Sequence, residues 1–193
     1  LACLLLAEIV RLRRQREASR RQERVLTHLA LSDSLTGLPN RRAWEQQLAE
    51  RLADGNAGKD LCVVLLDIDH FHEINDRIGH LEGDAALRRV ADRLSNTLRR
   101  AGFVARLGGE EFAVLLEGVN EAKAAAVVDL IRIQTAEDGD EQTGRIPLKL
   151  SAGWAKVAEP VTKSAVNEAL RQADEALRQA KRDGRNRTRP QAN

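Results

Sequence analysis

Leu61-Cys62-Val63-Val64-Leu65-Leu66-Asp67-Ile68-Asp69 is an unbroken apolar run of strand length that ends in two acids. A strand with one wet face alternates apolar and polar residues, whereas one apolar at every position is covered on both faces, so residues 61–66 read as a central strand. Asp67 and Asp69 are two apart, and in an extended chain they point to one side while Ile68 points to the other. The carboxyl end of this strand is therefore where oxygen ligands gather.

Downstream, helical patterns over 71–78 and 84–98, separated by Gly79-His80-Leu81-Glu82-Gly83, predict a helical crossover. Two short apolar stretches, 103–107 and 112–116, are joined by Gly108-Gly109-Glu110-Glu111. This is the pattern of a β-hairpin with acids at its tip. Residues 122–133 read as a helix, 148–157 as a strand, and 166–180 as an amphipathic helix closed by Asp183-Gly184. Upstream, Gly37 and Pro39 break the chain between Asp33 and Asn40, and Asn40 suits the cap of a helix over 41–52. The order βααββαβα predicts an α/β domain with a mixed sheet and helices packed on one side.

With 193 residues, 42% of them hydrophobic, the chain has room for one ordinary core plus an appendage. Aromatic residues make up 3%, with no Tyr and no Met, so Leu, Val, Ile and Ala must fill that core. The net charge of +2 is misleading, because seven arginines fall between Arg11 and Arg24. Setting these aside from 31 basic residues, and Glu8, Glu17 and Glu23 from 29 acidic ones, leaves 24 against 26 in residues 25–193. The body is not a basic surface, which argues against nucleic acid as a partner. Cys3 and Cys62 form no disulfide or metal-ligand pattern, consistent with a reducing compartment.

Residues 1–10 are largely apolar, about half the length a bilayer-crossing helix needs, and read as the end of a truncated transmembrane helix. Arg11, Arg13, Arg14 and Arg16 follow at once, which would place what comes next in the cytoplasm, anchored to that membrane. An amphipathic helix docked on the body or a partner is the other reading. Residues 11–32 read as a helical stalk: a heptad frame through Ile9 and Leu12 meets Arg16, Ser19 and Glu23 before recovering at Leu26, so pairing through it is weak. The body spans 33–189, and 190–193 is a tail.

Placing the hairpin beside the central strand would bring Glu110 and Glu111 near Asp67, where the carboxylates repel unless a divalent cation sits among them. Mg²⁺ is the natural choice, with Mn²⁺ as a substitute, and no His or Cys cluster argues for zinc. Taken singly, an Asp-x-Asp strand end is often a solvated end or a cap, and a Gly-Gly pair is often a plain turn. Together they favour a metal-dependent phosphoryl-type reaction, with the substrate unnamed by spacing alone.

The ordered blocks resemble the GGDEF family from Asp33 to about Arg187. They are Asp33-Ser34-Leu35-Thr36-Gly37-Leu38-Pro39-Asn40-Arg41-Arg42, Asp67-Ile68-Asp69-His70-Phe71 with Ile74-Asn75-Asp76, Gly79-His80 with Gly83-Asp84, Arg106-Leu107-Gly108-Gly109-Glu110-Glu111-Phe112, and Ala173-Asp174 through Gly184-Arg185-Asn186. The resemblance implies a palm-like nucleotidyl cyclase fold, a mixed central sheet with surrounding helices, here preceded by a long amino-terminal helix. It implies a homodimer in which two GTP molecules condense to cyclic di-GMP and two pyrophosphates. It makes Asp67, Glu111 and the Ile68 carbonyl the metal ligands, and Glu110 the base for the 3′-hydroxyl or a further metal contact. It gives Asn75 and Asp84 to the guanine edge, and the backbone N–H groups of His70 and Phe71, together with Lys181 and Arg185, to phosphate. A catalytically silent, GTP-binding or dimerising GGDEF domain is the alternative.

Three positions depart from the family pattern. His72 stands where Lys is usual, which predicts weaker phosphate binding unless neighbouring cations substitute. The product-binding Arg-x-x-Asp falls on Arg99 and Gly102, so its acid is missing and product inhibition through it should be weak or absent. Arg178 replaces a common Tyr and reads as a surface change.

Overall fold

The computed structural model describes residues 2–53, 60–98, 102–137 and 146–191. In chain order the elements are α1 (Ala2–Leu31), α2 (Arg41–Ala53), β1 (Cys62–Ile68), α3 (Phe71–Ile78), α4 (His80–Leu98), β2 (Gly102–Gly108), β3 (Glu111–Leu116), α5 (Glu121–Glu137), β4 (Leu150–Lys156), α6 (Lys163–Arg182) and β5 (Thr188–Pro190).

Five strands form one sheet in the order β2-β3-β1-β4-β5, with β1 at its centre. β1 runs antiparallel to both β3 and β4, and β2 antiparallel to β3. Only the β4–β5 pair is parallel, so the mixed character rests on the strand that sequence patterning missed. That strand is three residues long and ends in Pro190, which lacks a ladder donor and suits an edge. The edge continues into Gln191, whose N–H donates to the Trp154 carbonyl at 2.8 Å, so ordered structure runs past the expected limit at 189.

The continuous apolar run of β1 is explained by cover on both faces, which corrects the expectation of helices on one side. Cys62, Val64, Leu66 and Ile68 pack with Leu87, Val90 and Leu94 of α4 and with Ala124, Val128 and Ile131 of α5. Val63, with Ala113 and Leu115 of β3, faces Trp44 and Leu48 of α2 and Val166, Ala169 and Ala173 of α6. Each such aliphatic side chain, fully buried, contributes about 1.5–3 kcal/mol of transfer free energy. On the second face α6 lies directly on β4. A Cβ at Gly153 would overlap Leu177 N and Ala173 O outright, so glycine is what allows this approach and carries the end of α6 over the end of β1.

The 79–83 segment, expected as a break, lies mostly in the first turn of α4, and Gly79 alone separates the two helices. At the other end of the chain, α1 is one continuous helix across the expected boundary at residue 10. Among the described residues no helix is long and apolar enough to cross a membrane. Asn40 joins α1 to α2: its Nδ2 donates to the carbonyls of Ala30 and Ser32 at 2.9 and 3.2 Å, and its Oδ1 accepts from Ala43 N at 3.1 Å.

Candidate active site

The carboxyl end of β1 meets the β2–β3 turn, the amino end of α3 and the carboxyl end of α6. Gly108 and Gly109 have φ of +143° and +54°, backbone that side-chain-bearing residues rarely adopt, and so the turn can fold tightly enough to pair Gly108 with Glu111. Across the sheet Asp67 stands opposite Glu111, and Ile68 N donates to the Glu110 carbonyl at 3.4 Å. Thus Glu110 and Glu111 do flank Asp67. Glu111 is exposed and Glu110 half-buried, whereas Asp67 is only 5% exposed.

Burial pushes the Asp67 carboxyl above its ordinary range. Lys181, with Nζ 2.8 Å from Asp67 Oδ2, pulls it down, and Glu110 and Asp69 push it up again. Lys181, expected at phosphate, is therefore the counter-ion of the buried acid. Asp69 is also buried but spoken for: Ser151 Oγ donates to its Oδ1 at 2.7 Å and Asn186 N to its Oδ2 at 2.8 Å. Asp69 is thus taken out of the expected group of three or four carboxylates, and among the described residues no three His, Cys, Asp or Glu converge as a ready metal cage.

Asp69 instead latches the turn that follows α6. Arg185 and Asn186 there have φ of +60° and +46°. Arg185 is exposed and lies beyond the last helical residue, so its spacing from Lys181 is not a helical one.

His70 adopts the left-handed conformation, φ 58°, as the N-cap of α3, without a side-chain cap. Its ring pairs with Glu73 at 2.6 Å. The Phe71 ring is buried, while the His72 side chain is 89% exposed and pairs with Asp76 at 3.4 Å, so His72 points away as a surface residue of α3. Asn75 and Asp84 are both half-buried, and Asn75 abuts Gly83, the neighbour of Asp84. Arg99 lies outside the described residues. Gly102 begins β2 opposite Leu116, and a Cβ there would come 2.5 Å from the Leu115 carbonyl oxygen. Arg178 is a surface residue paired with Asp174 and Glu175.

A second set of residues supports the hairpin from behind. Arg106 Nε and Nη2 donate to the Gly109 carbonyl at 3.0 and 2.7 Å, and Nη1 to Asp33 Oδ1 at 2.8 Å. Asp33 also accepts from Thr36 N and Oγ1 at 2.9 and 2.6 Å. Burial raises the Asp33 carboxyl, but these hydrogen bonds outweigh it and hold it below the ordinary range. The chain entering from α1 is thus tied through one guanidinium to the Gly108-Gly109 turn. A cavity of about 630 Å³ opens between α2 and α6, lined by Trp44, Leu48, Leu65 and Leu170, and it shares only Glu111 with the expected nucleotide contacts.

The family described as "Diguanylate cyclase, GGDEF domain" matches residues 30–187. This chain belongs to the GGDEF family. The GGDEF domain is 42% identical over 163 residues to the diguanylate cyclase DgcP of Pseudomonas aeruginosa, covering 82% of this chain and 23% of DgcP. It is 44% identical over 129 residues to the diguanylate cyclase TpbB of the same organism, covering 66% of this chain and 28% of TpbB. The chain therefore spans about a quarter of the length of these curated relatives. Among solved structures it is similar to the coiled coil and GGDEF domain of DgcB from Caulobacter crescentus in complex with c-di-GMP. That similarity has a TM-score of 0.85 and 29% identity over 96% of this chain and 98% of that one. It is also similar to the active GGEEF domain of a diguanylate cyclase from Vibrio cholerae, with a TM-score of 0.70 and 31% identity over 80% and 97%.

Patterning did not foresee the Arg106 clamp, the Asp69 latch or the partners Ser151 and Asn186. For Arg106 a signal existed, an arginine two residues before a glycine turn that needs its carbonyl held. Nothing local marks Ser151 or Asn186 as the partners of an acid far away in the chain.

Proposed function

We propose that this GGDEF domain is a diguanylate cyclase that condenses two GTP into cyclic di-GMP and two pyrophosphates as a homodimer. The observation that carries the reading is Asp67, an acid buried at the end of the central strand, facing Glu111 across the ladder with Glu110 on the adjoining turn.

The donor set fits a hard divalent cation. It is all oxygen, and burial and neighbouring acids drive Asp67 away from its charged form, a cost that a bound cation relieves. Asp67, Glu111 and the Ile68 carbonyl would hold Mg²⁺, or Mn²⁺ in its place. When bound, the metal offsets phosphate charge and acidifies a coordinated hydroxyl. Glu110 accepts the 3′-hydroxyl proton of one GTP as that oxygen forms a bond to the α-phosphorus of the other, and the bond to pyrophosphate breaks. Lys181, already at this end of the sheet, and Arg185 on the latched turn supply positive charge to the phosphates. The backbone N–H groups of His70, the N-cap of α3, and of Phe71, its first residue, would add donors to the phosphates. Asn75 and Asp84 take the guanine edge, where an acceptor carboxylate suits the N–H donors of guanine and opposes adenine.

Each domain holds one GTP, so two must face each other. Leu12, Leu26 and Leu29 of α1 are exposed, at 47%, 59% and 69%, which supports pairing of two α1 helices. The apolar decade followed by arginines supports a cytoplasmic catalytic domain led from the inner membrane. Gly102 brings no carboxylate to the product-binding position, which supports weak or absent product feedback.

Incubating the chain with GTP and Mg²⁺ and identifying products by mass should yield cyclic di-GMP, and Glu110→Ala should yield none. Added cyclic di-GMP should slow the parent little. A dimer that binds GTP without making product would favour the silent regulatory reading.

A further inference from the structure

Asn75 carries the one buried side-chain polar atom that has no hydrogen-bond partner among the described residues, its Oδ1. That oxygen lies against Gly83, where a Cβ would overlap it outright, stand 3.0 Å from Asn75 Cγ and 3.4 Å from Phe71 Cζ. Gly83 is buried within the first turn of α4 and its φ lies outside the left-handed range, so the backbone does not call for glycine. Glycine in a helix is less stable than alanine. A buried acceptor left unpaired adds a desolvation penalty. Two local penalties thus fall on one contact, next to Asp84.

We propose that Gly83 is a positioning residue for nucleotide recognition: its bare α-carbon is the seat of the Asn75 carboxamide. Seated there, the carboxamide is held between α3 and α4 beside Asp84, so that the two present one face to the base. This rests on the reading that Asn75 and Asp84 hold guanine. A methyl group at residue 83 takes the seat, and Asn75 must rotate out of register with Asp84. The helix itself gains from the exchange, so stability and recognition move in opposite directions.

Three variants of the full chain test this, Gly83→Ala, Asn75→Ala and the pair together, read by the Kd of a non-reacting GTP analogue, by kcat and by melting temperature. Gly83→Ala should weaken analogue binding about tenfold, the equivalent of one hydrogen bond to the base, with more of the loss in Kd than in kcat. It should melt no lower than the parent. In the Asn75→Ala background the same exchange should add nothing to the loss. If Asn75→Ala weakens binding and Gly83→Ala does not, the seat is wrong and the guanine reading stands. If Asn75→Ala leaves Kd unchanged, the guanine reading fails and takes the seat with it. If Gly83→Ala unfolds, the double variant decides. Folding restored by removing the carboxamide supports the seat, and a double variant that also unfolds overturns it.

Discussion

Asp67 and Asp69 lie two residues apart at the end of the same strand, are nearly equally buried at 5% and 4% exposed, and have opposite roles. Asp69 receives a hydroxyl and a backbone N–H and becomes a structural latch between β1, β4 and the turn after α6. Asp67 faces an exposed acid across the ladder, takes one ammonium, and is left with its charged form disfavoured. The difference lies in the neighbours: a satisfied carboxylate holds the frame, and an under-satisfied one is the proposed cation ligand.

Asp67→Asn is the sharpest way to break this contrast. It should reduce cyclic di-GMP formation by at least about a hundredfold, as loss of a metal ligand does, while the melting temperature at neutral pH stays level or rises. The folded-state pKa of Asp67 is raised, so its penalty on stability grows as pH climbs from the ordinary value near 3.8 and is complete above the raised one. The isosteric amide carries no such penalty.

Asp69→Asn should do the reverse. Its amide can accept one hydrogen bond but not both, and chemical denaturation should show a loss of about 1–3 kcal/mol, with activity falling only as far as Arg185 loses its place. Equal behaviour of the two variants would dissolve the distinction.

A smaller effect is expected at Asp33→Asn, about 1–2 kcal/mol for weakening a charge-assisted pair, with a few-fold drop in rate because Arg106 also holds the Gly109 carbonyl. Since the folded-state pKa of Asp33 is lowered, its contribution is fully present above the ordinary value near 3.8 and is lost as pH falls through the lowered one. Denaturation curves of parent and variant should therefore differ at neutral pH and converge only below the lowered pKa.

Much of this was legible in the sequence. The run from Leu61 to Leu66 announced a central strand, and the two-glycine turn announced a hairpin with Glu110 and Glu111 at its tip, because both signals are local. Cover on both faces was legible in the same run, but that α2 and α6 supply it on the second face was not, since it depends on how Gly153 admits the backbone of α6. β5 was missed because three residues ending in proline carry no strand period. The roles of the two aspartates were beyond reach as well. Spacing set both on one side of β1, and only the folded neighbours, Ser151 and Asn186 for one and Lys181 for the other, separate them.

Two such domains, each presenting Asp67, Glu110 and Glu111 to one GTP, are proposed to make cyclic di-GMP together. The rate of cyclic di-GMP formation per chain, measured with Mg²⁺ and saturating GTP across a range of protein concentrations, should rise with concentration and level off once the dimer is fully formed. No cyclic di-GMP at concentrations where the chain is demonstrably dimeric and binds GTP would contradict it.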